Sequence, residues 1–327
     1  MNEFQELPEN YEAETDEFNE LYVVAWLLII RALLKLVQLP PNPTATQLLQ
    51  LEQQVNKEVG EIFSNLNSKI AETTKKKVTE AYVHGVQFSR VALSQGNKLK
   101  ELTEKEIEKV ESSLNKEHVT RLQKMIEQTQ DDLLKATHNT EDNIKKLVRQ
   151  VVSREISGTG YGGKVGKVSN MAKRIEKQLR KQFIENGIKN ADIAIIDKAN
   201  RKWKLKTYSE MVARTKMNMA YIDAIREESL QDGSDLAIIS TKPDTEDACL
   251  NYEGMVISLN GLTAGFLTYD ELRQSKLVFH PNCGHFVRPV GGIEWIPKKL
   301  LEIHEKKMAK YRKDQDTLKQ RQNSDSV

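Results

Sequence analysis

Apolar side chains recur every three or four residues from Leu48 to Val151, and that spacing commits the N-terminal half of the 327-residue chain to long helices. Leu48, Leu49, Val55, Val59, Ile62, Phe63, Leu66 and Ile70 trace one helical face, and Val78, Tyr82, Val86 and Leu93 trace that of a further segment. Pro40-Pro41-Asn42-Pro43 stands just before this run. Proline lacks the backbone donor and restrains its predecessor, so one helix stops there and the next starts with Thr44 or Thr46 as its cap. After Gly96 the pattern resumes from about Thr103 through Ile107, Val110, Leu114, Leu122, Ile126, Leu133, Ile144, Val148 and Val151. Charged residues fill most other positions of this stretch. It reads as a long two-sided helix or loose coiled coil, suited to spacing or assembly.

The run from Leu21 to Leu39 is apolar enough to suggest a membrane span, but Arg31 and Lys35 lie inside it. A central Arg or Lys costs about 2.5–3.5 kcal/mol on insertion scales. Glu20 to Gln38 therefore reads as an apolar helix that packs on its own chain or on a partner subunit, and no membrane partner is expected. The leader before it carries eight acidic and no basic residues between Met1 and Glu20, the reverse of a signal peptide's basic flank. Two cysteines, Cys249 and Cys283, make no disulfide framework and fit synthesis in a reducing cytosol.

Charge is concentrated in the middle of the chain. Between Lys145 and Lys216 there are 19 Lys or Arg against 6 Asp or Glu, an excess of +13. Such a segment attracts phosphate, and Lys164, Lys167, Lys173, Arg174, Lys177, Arg180 and Lys181 are the side chains expected to reach double-stranded DNA. A solvated basic surface without a nucleic-acid partner explains the same composition. Gly158, Gly163 and Lys164 have P-loop spacing, but Val165 stands where Ser or Thr must hold magnesium, and a helical pattern precedes the loop where a strand is needed. The stretch is read as a hinge, followed by a basic helix from Ser169.

From Ile193 the periodicity changes. Ile193–Ile196 and Lys202–Lys206 read as a β-hairpin. Thr207 or Ser209 is expected to cap a helix through Met211, Val212, Met219, Ile222 and Ile225 that ends near Gly233. Leu236–Ile239, Met255–Ile257 and Phe286–Val287 are further strands, and Lys298–Gln322 is a charged terminal helix, partly detached, before a disordered end. The fold class is α+β, a long helical N-terminal half before a small α+β domain. The divisions are 1–43, acidic leader and apolar helix; 44–157, extended helical region; 158–192, hinge and basic helix; 193–292, α+β domain; and 293–327, charged tail.

Chemistry concentrates near the end of that domain. Cys249, His280, Cys283 and His285 offer two sulfurs and two nitrogens, a set suited to zinc, with Glu246 or Asp247 as an oxygen alternative. Two buried cysteines beside a tight turn at Pro281-Asn282 explain the same residues without metal. A Cys-His nucleophile, or Asp244 and Asp247 holding a divalent metal for phosphodiester cleavage, are the enzymatic readings. His84, His118, His138 and His304 stand without companions in helical stretches.

Tyr208-Ser209-Glu210-Met211-Val212-Ala213-Arg214-Thr215 resembles the Tyr-x-Glu-Met-x-x-Arg-Thr segment of the phage minor capsid and head-morphogenesis families, which include the Mu-type F protein. Asp244-Thr245-Glu246-Asp247-Ala248-Cys249, then Gly254, then His280-Pro281-Asn282-Cys283-Gly284-His285 follow in the family's order. The resemblance runs from about Gly160 to Pro289. It implies a non-enzymatic particle component near the portal, in contact with portal, scaffold or major capsid protein and packaged DNA, assembled in the host cytoplasm. It carries the family motif onto Tyr208, Glu210, Arg214, Thr215, Asp244, Gly254, Pro281 and Asn282. Glu246 stands where relatives often have a first cysteine, and Gly284 where they usually have arginine.

Overall fold

The computed structural model describes residues 15–38, 43–94, 104–160, 193–198, 200–242 and 248–324. Helix α1 spans Asp16–Leu34 and tightens into a 3₁₀ turn at Lys35–Val37, starting four residues before the expected Glu20. Helix α2 spans Ala45–Leu93 without a break. Thr44 opens it through a reciprocal cap, its Oγ1 accepting from Gln47 N–H at 3.2 Å while Gln47 Oε1 accepts from Thr44 N–H at 2.8 Å. The single long helix expected after Gly96 is instead two, α3 (Glu104–Ser112) and α4 (Lys116–Gly160). Ser112 and Ser113 turn their hydroxyls back onto the carbonyls of Lys109 and Val110, and Asn115 Oδ1 accepts from His118 N–H at 3.1 Å. One helix ends and another is capped within three residues.

Strands β1 (Ile193–Ile196) and β2 (Lys202–Lys204) form the expected antiparallel hairpin. Helix α5 (Leu205–Gln231) begins at Leu205 rather than after a Thr207 or Ser209 cap, because the strand leads straight into a helix whose first turns bury Leu205 and Ser209. It ends as expected: Gly233 has φ +82, with Ser234 N–H bonded to Ser229 O and Gly233 N–H to Leu230 O. Strands β3 (Leu236–Ile239), β4 (Val256–Ser258) and β5 (Val287–Val290) make an antiparallel sheet in the order β4-β3-β5. Helices α6 (Tyr269–Ser275) and α7 (Lys298–Ser324) complete the chain.

Two compact units interleave along the sequence. The helical unit takes the described residues of 14–76 and 127–213, so the hairpin and the start of α5 fall within it. Inside this unit α1 runs antiparallel to α2, with Lys35–Glu58 at 2.5 Å near one end and Lys76–Glu17 at 3.4 Å near the other. Part of α4 is antiparallel to α2 as well, since Gln130 reaches Ala71 O and Thr137 reaches Asn67. Phe18, Tyr22, Ile29, Val55, Val59, Phe63, Ile70, Leu133, Ile144 and Val148 of these helices are buried. Each fully buried large side chain contributes roughly 1.5–3 kcal/mol. Among the described residues no helix is long and apolar enough to cross a membrane.

The mixed unit takes the described residues of 77–126 and 214–327. Its sheet is covered on both faces. Ala237 and Ile239 of β3 join a core with Phe88, Tyr221, Ile225 and Phe286, whereas Leu236 and Ile238 join Val256, Val290 and Ile296, with Leu300 and Leu301 of α7 against them. The rings of Phe88, Tyr221 and Phe286 sit 5.5–5.8 Å apart pairwise. Glycine at position 85 lets α2 reach α5, because a Cβ there would lie 2.3 Å from Tyr221 O.

Two histidines expected to stand alone are tied into this unit. His118 bonds Tyr82 Oη at 3.0 Å and meets Glu228, which Arg90 grips from the other side. His304 Nδ1 accepts from Val256 N–H at 3.2 Å, and its ring lies 5.1 Å from that of Phe266. The start of α7 is therefore docked rather than detached. Lys307 Nζ fixes it further by donating to the carbonyls of Leu250 and Glu253.

Candidate metal centre and its anchoring helix

Two short segments of the mixed unit bring the chemistry together. Cys249 sits on the 3₁₀ turn Ala248–Asn251, and His280 to His285 form the approach to β5. The loop is conformationally demanding, with Phe279 at φ +57 and Asn282 at φ +67, in the left-handed region that side chains other than glycine rarely occupy.

Helix α5 holds that loop with three side chains. Arg214 Nη1 donates to Asn282 Oδ1 at 3.2 Å, and Thr215 Oγ1 accepts from Asn282 N–H at 2.9 Å. One turn on, buried Asn218 uses its amide to donate to both Cys283 O and His285 O, at 2.9 and 3.0 Å. Positions 214, 215 and 218 share one helical face, so two distant motifs of the sequence meet as one contact.

The side chains of the loop converge on a small donor cluster. Cys249 Sγ lies 3.7 Å from Cys283 Sγ and 3.0 Å from His280 Nε2, and Cys283 Sγ lies 3.3 Å from His285 Nδ1. One atom each of Cys249, Cys283 and His285 fall within 4.8 Å of one another. Tetrahedral zinc with sulfur at about 2.3 Å separates two thiolates by roughly 3.8 Å, so the sulfur spacing suits the ion. His280 stands beside the trio through Cys249.

The far side of each imidazole is also occupied. His280 Nδ1 faces Pro281 O at 3.0 Å, and His285 Nε2 faces Glu253 Oε1 at 2.8 Å. A carbonyl or carboxylate oxygen only accepts, so those nitrogens donate, and His280 Nε2 and His285 Nδ1 are the ring atoms that a metal at the sulfurs would take. Carbonyl and carboxylate supports of this kind orient metal-binding histidines. The hydrogen bond from Cys249, aided by His285, outweighs burial and pushes the Cys283 thiol down, toward the thiolate form that metals bind. For His285 burial acts to lower the pKa, but Cys283 and Glu253 outweigh it and raise it.

Cys283, His285 and Glu253 also stand in the order nucleophile, base and orienting carboxylate. Cys283 is only 5% exposed and Cys249 is buried too, so neither sulfur is presented to a substrate. Glycine at 284 makes room for a cation, since a Cβ there would lie 2.7 Å from Lys242 Nζ. Gly254, at φ +71, turns the chain between Glu253 and β4, and its N–H bonds Ile239 O at 2.9 Å.

Pro281 and Asn282 are on this loop, whereas Tyr208 and Glu210 lie in the helical unit. There Tyr208 is half-buried, its pKa raised first by burial and then by Asp132, and Glu210 pairs with Lys206 at 3.7 Å. Asp244, Glu246 and Asp247 lie outside the described residues. So do Lys164, Lys167, Lys173, Arg174, Lys177, Arg180 and Lys181 and the rest of the hinge expected from Gly158, whose first three residues instead continue α4 to Gly160. Asn218 and Glu253 are the contributors that sequence reasoning missed. The first is one helical turn from Arg214 and the second directly precedes Gly254, which are the signals that mark them.

A family model described as phage minor capsid protein 2 matches residues 9–324. No curated protein and no solved structure matches the chain.

Proposed function

Because the chain belongs to the phage minor capsid protein 2 family, we propose that this structural phage protein is a portal-associated minor head component of a tailed phage virion. The extent of the match carries the reading, since it takes in the helical half as well as the Cys-His loop. Long helices with charged outer faces offer docking surface to portal, scaffold or major capsid protein during assembly in the host cytoplasm. The +13 segment between Lys145 and Lys216 suits contact with packaged duplex DNA. The Cys249, His280, Cys283 and His285 set is read as a structural zinc site that fastens the end of the fold, with burial of both thiols favouring structure over catalysis.

Co-purification with the portal protein from infected-cell extracts, and presence in purified particles, are the expected results. Absence from both would sink the reading. Affinity for duplex DNA should fall steeply with salt as counterions are released, and no binding at low ionic strength would remove the DNA part alone. The competing enzymatic reading is a metal-dependent nuclease or Cys-His hydrolase of a phage-derived toxin-like system. It would gain the upper hand if the chain cleaved DNA and a His280→Ala variant did not.

A further inference from the structure

Helix α1 carries two heptad seams. Phe18, Tyr22, Ala25, Ile29, Ala32 and Leu36 step by four and three and are buried within the helical unit. Val23, Leu27, Ile30 and Leu34 step by the same four, three and four, and they are exposed, with Val24 and Leu28 beside them. Leu27 is 61% exposed and Val24 53%, high values for large apolar side chains that form one continuous stripe. A groove of about 330 Å³ lies beside the seam, between α1 and α2, lined by Leu21, Val24 and Leu28 with Ile62 and Leu66. Spacing of 3.5 residues is what a partner helix requires, because it keeps the seam facing its neighbour along the whole contact.

We propose that this second seam is the interface with α1 of another copy of the same chain, packed antiparallel about a two-fold axis. The sequence of the helix selects that occupant. A two-fold between residues 28 and 29 sets Val23 against Leu34 of the other copy and Leu27 against Ile30, so all four seam positions find apolar partners and the contact is self-complementary. Charge agrees with direction. Glu17 and Lys35 are paired within the chain, but Asp16 and Glu20 lie in the first turns and Arg31 toward the far end, so antiparallel pairing places an acidic end over a basic one. It also sets opposite ends of the two helix dipoles together, whereas parallel pairing stacks like charges. The apolar stretch of about 18 Å, at 1.5 Å per residue, is a short seam, and the association is correspondingly reversible.

Sedimentation velocity of the full chain, over about 1 to 100 µM, reads the association directly. A concentration-dependent dimer is expected. Leu27→Glu places two charges in the closed seam and should weaken the dimer at least about tenfold, with an unchanged thermal melt at concentrations where both chains are monomeric, because Leu27 is exposed. Direction is read by mixing a Leu27→Cys chain with an Ile30→Cys chain and adding a bismaleimide. Antiparallel pairing gives a product joined 27 to 30, in excess over the product from Leu27→Cys alone. A chain that stays monomeric at every concentration overturns the proposal. If Leu27→Glu then blocks entry into particles, the seam belongs to a different head protein. Retention of the dimer in Leu27→Glu, or cross-linking of position 27 chiefly to itself, overturns it equally.

Discussion

The backbone N–H of Asn282 donates to the hydroxyl of Thr215 across 67 residues of chain, at 2.9 Å. Thr215 stands on an unbroken helix, whereas Asn282 is a left-handed residue in a loop whose neighbours carry sulfur and imidazole. The regular element thus fixes the irregular one.

That arrangement ranks the consequences of removing each contact. Thr215→Val takes away one acceptor, and exposed Asn282 can turn to water, so a loss of about 1 kcal/mol or less is expected. Asn218→Ala strips two carbonyls of their donor in a buried place and should cost roughly 1–3 kcal/mol. Urea unfolding of the two variants gives the order. Equal stability of Asn218→Ala and the parent would show that the loop is held by something else.

Metal analysis of the purified chain should find one zinc, absent from Cys283→Ser. Glu253→Gln leaves all four donors in place but weakens the support behind His285, so affinity should fall by about 10–100-fold rather than vanish. An unchanged affinity in Glu253→Gln would separate that carboxylate from the centre.

Two glycines of α2 should respond oppositely to alanine. At Gly85 the new Cβ meets the backbone oxygen of Tyr221 at 2.3 Å and Ala224 Cβ at 2.9 Å, so α2 and α5 must part, at a cost of roughly 1–3 kcal/mol. At Gly60 it meets the mobile end of Lys145 at 3.1 Å, and the gain in helix propensity of up to about 1 kcal/mol should dominate. Thermal melts of both variants decide it; a Gly85→Ala chain as stable as the parent would refute the close approach.

His304 makes stability depend on pH with a definite sign. Burial lowers its pKa below the ordinary 6.5, with Glu305 opposing and Arg312 adding, and Val256 N–H needs the Nδ1 lone pair. A folded-state value below the unfolded one means that the contribution is complete above pH 6.5 and is lost as pH falls through the folded value. His304→Gln keeps an acceptor but does not titrate. From pH 7 to about 5 the parent should therefore lose more stability than the variant, and parallel curves would contradict the assignment. Comparison with the variant is needed because His285, whose pKa is raised, acts with the opposite sign.

Local periodicity made much of this fold legible. The helices between Leu48 and Val151, the Ile193–Lys204 hairpin and the Gly233 stop follow from spacing and turn chemistry that act within a few residues. The apolar run Leu236–Ile239 likewise announced a buried strand, and β3 is that strand. What stayed hidden depends on partners far away in sequence. Nothing near Asn115 competes strongly with a continuing helix until its side chain caps His118, so the break between α3 and α4 escaped the periodicity. Docking of α7 rests on His304 finding Val256, and orientation of His285 rests on Glu253 of another segment. The cysteines and histidines were visible as residue types. The loop that carries three of them is held by α5, through Asn218 one turn beyond Arg214, a contact that spans 65 to 67 residues of chain.

Strand β3 belongs to two interiors at once, with Ala237 and Ile239 turned to one and Leu236 and Ile238 to the other. Those interiors need not open together. Peeling away only the first turns of α7, with Leu300 and Leu301, would uncover the Leu236 and Ile238 side while Met308, further along the same helix, kept its place in the side built on Tyr221 and Phe286. The cheapest excursion from the native state is then a partial one that bares an apolar sheet. Such a surface is adhesive, so whatever keeps α7 seated governs how long the chain survives unassembled, by limiting aggregation rather than by adding to global stability.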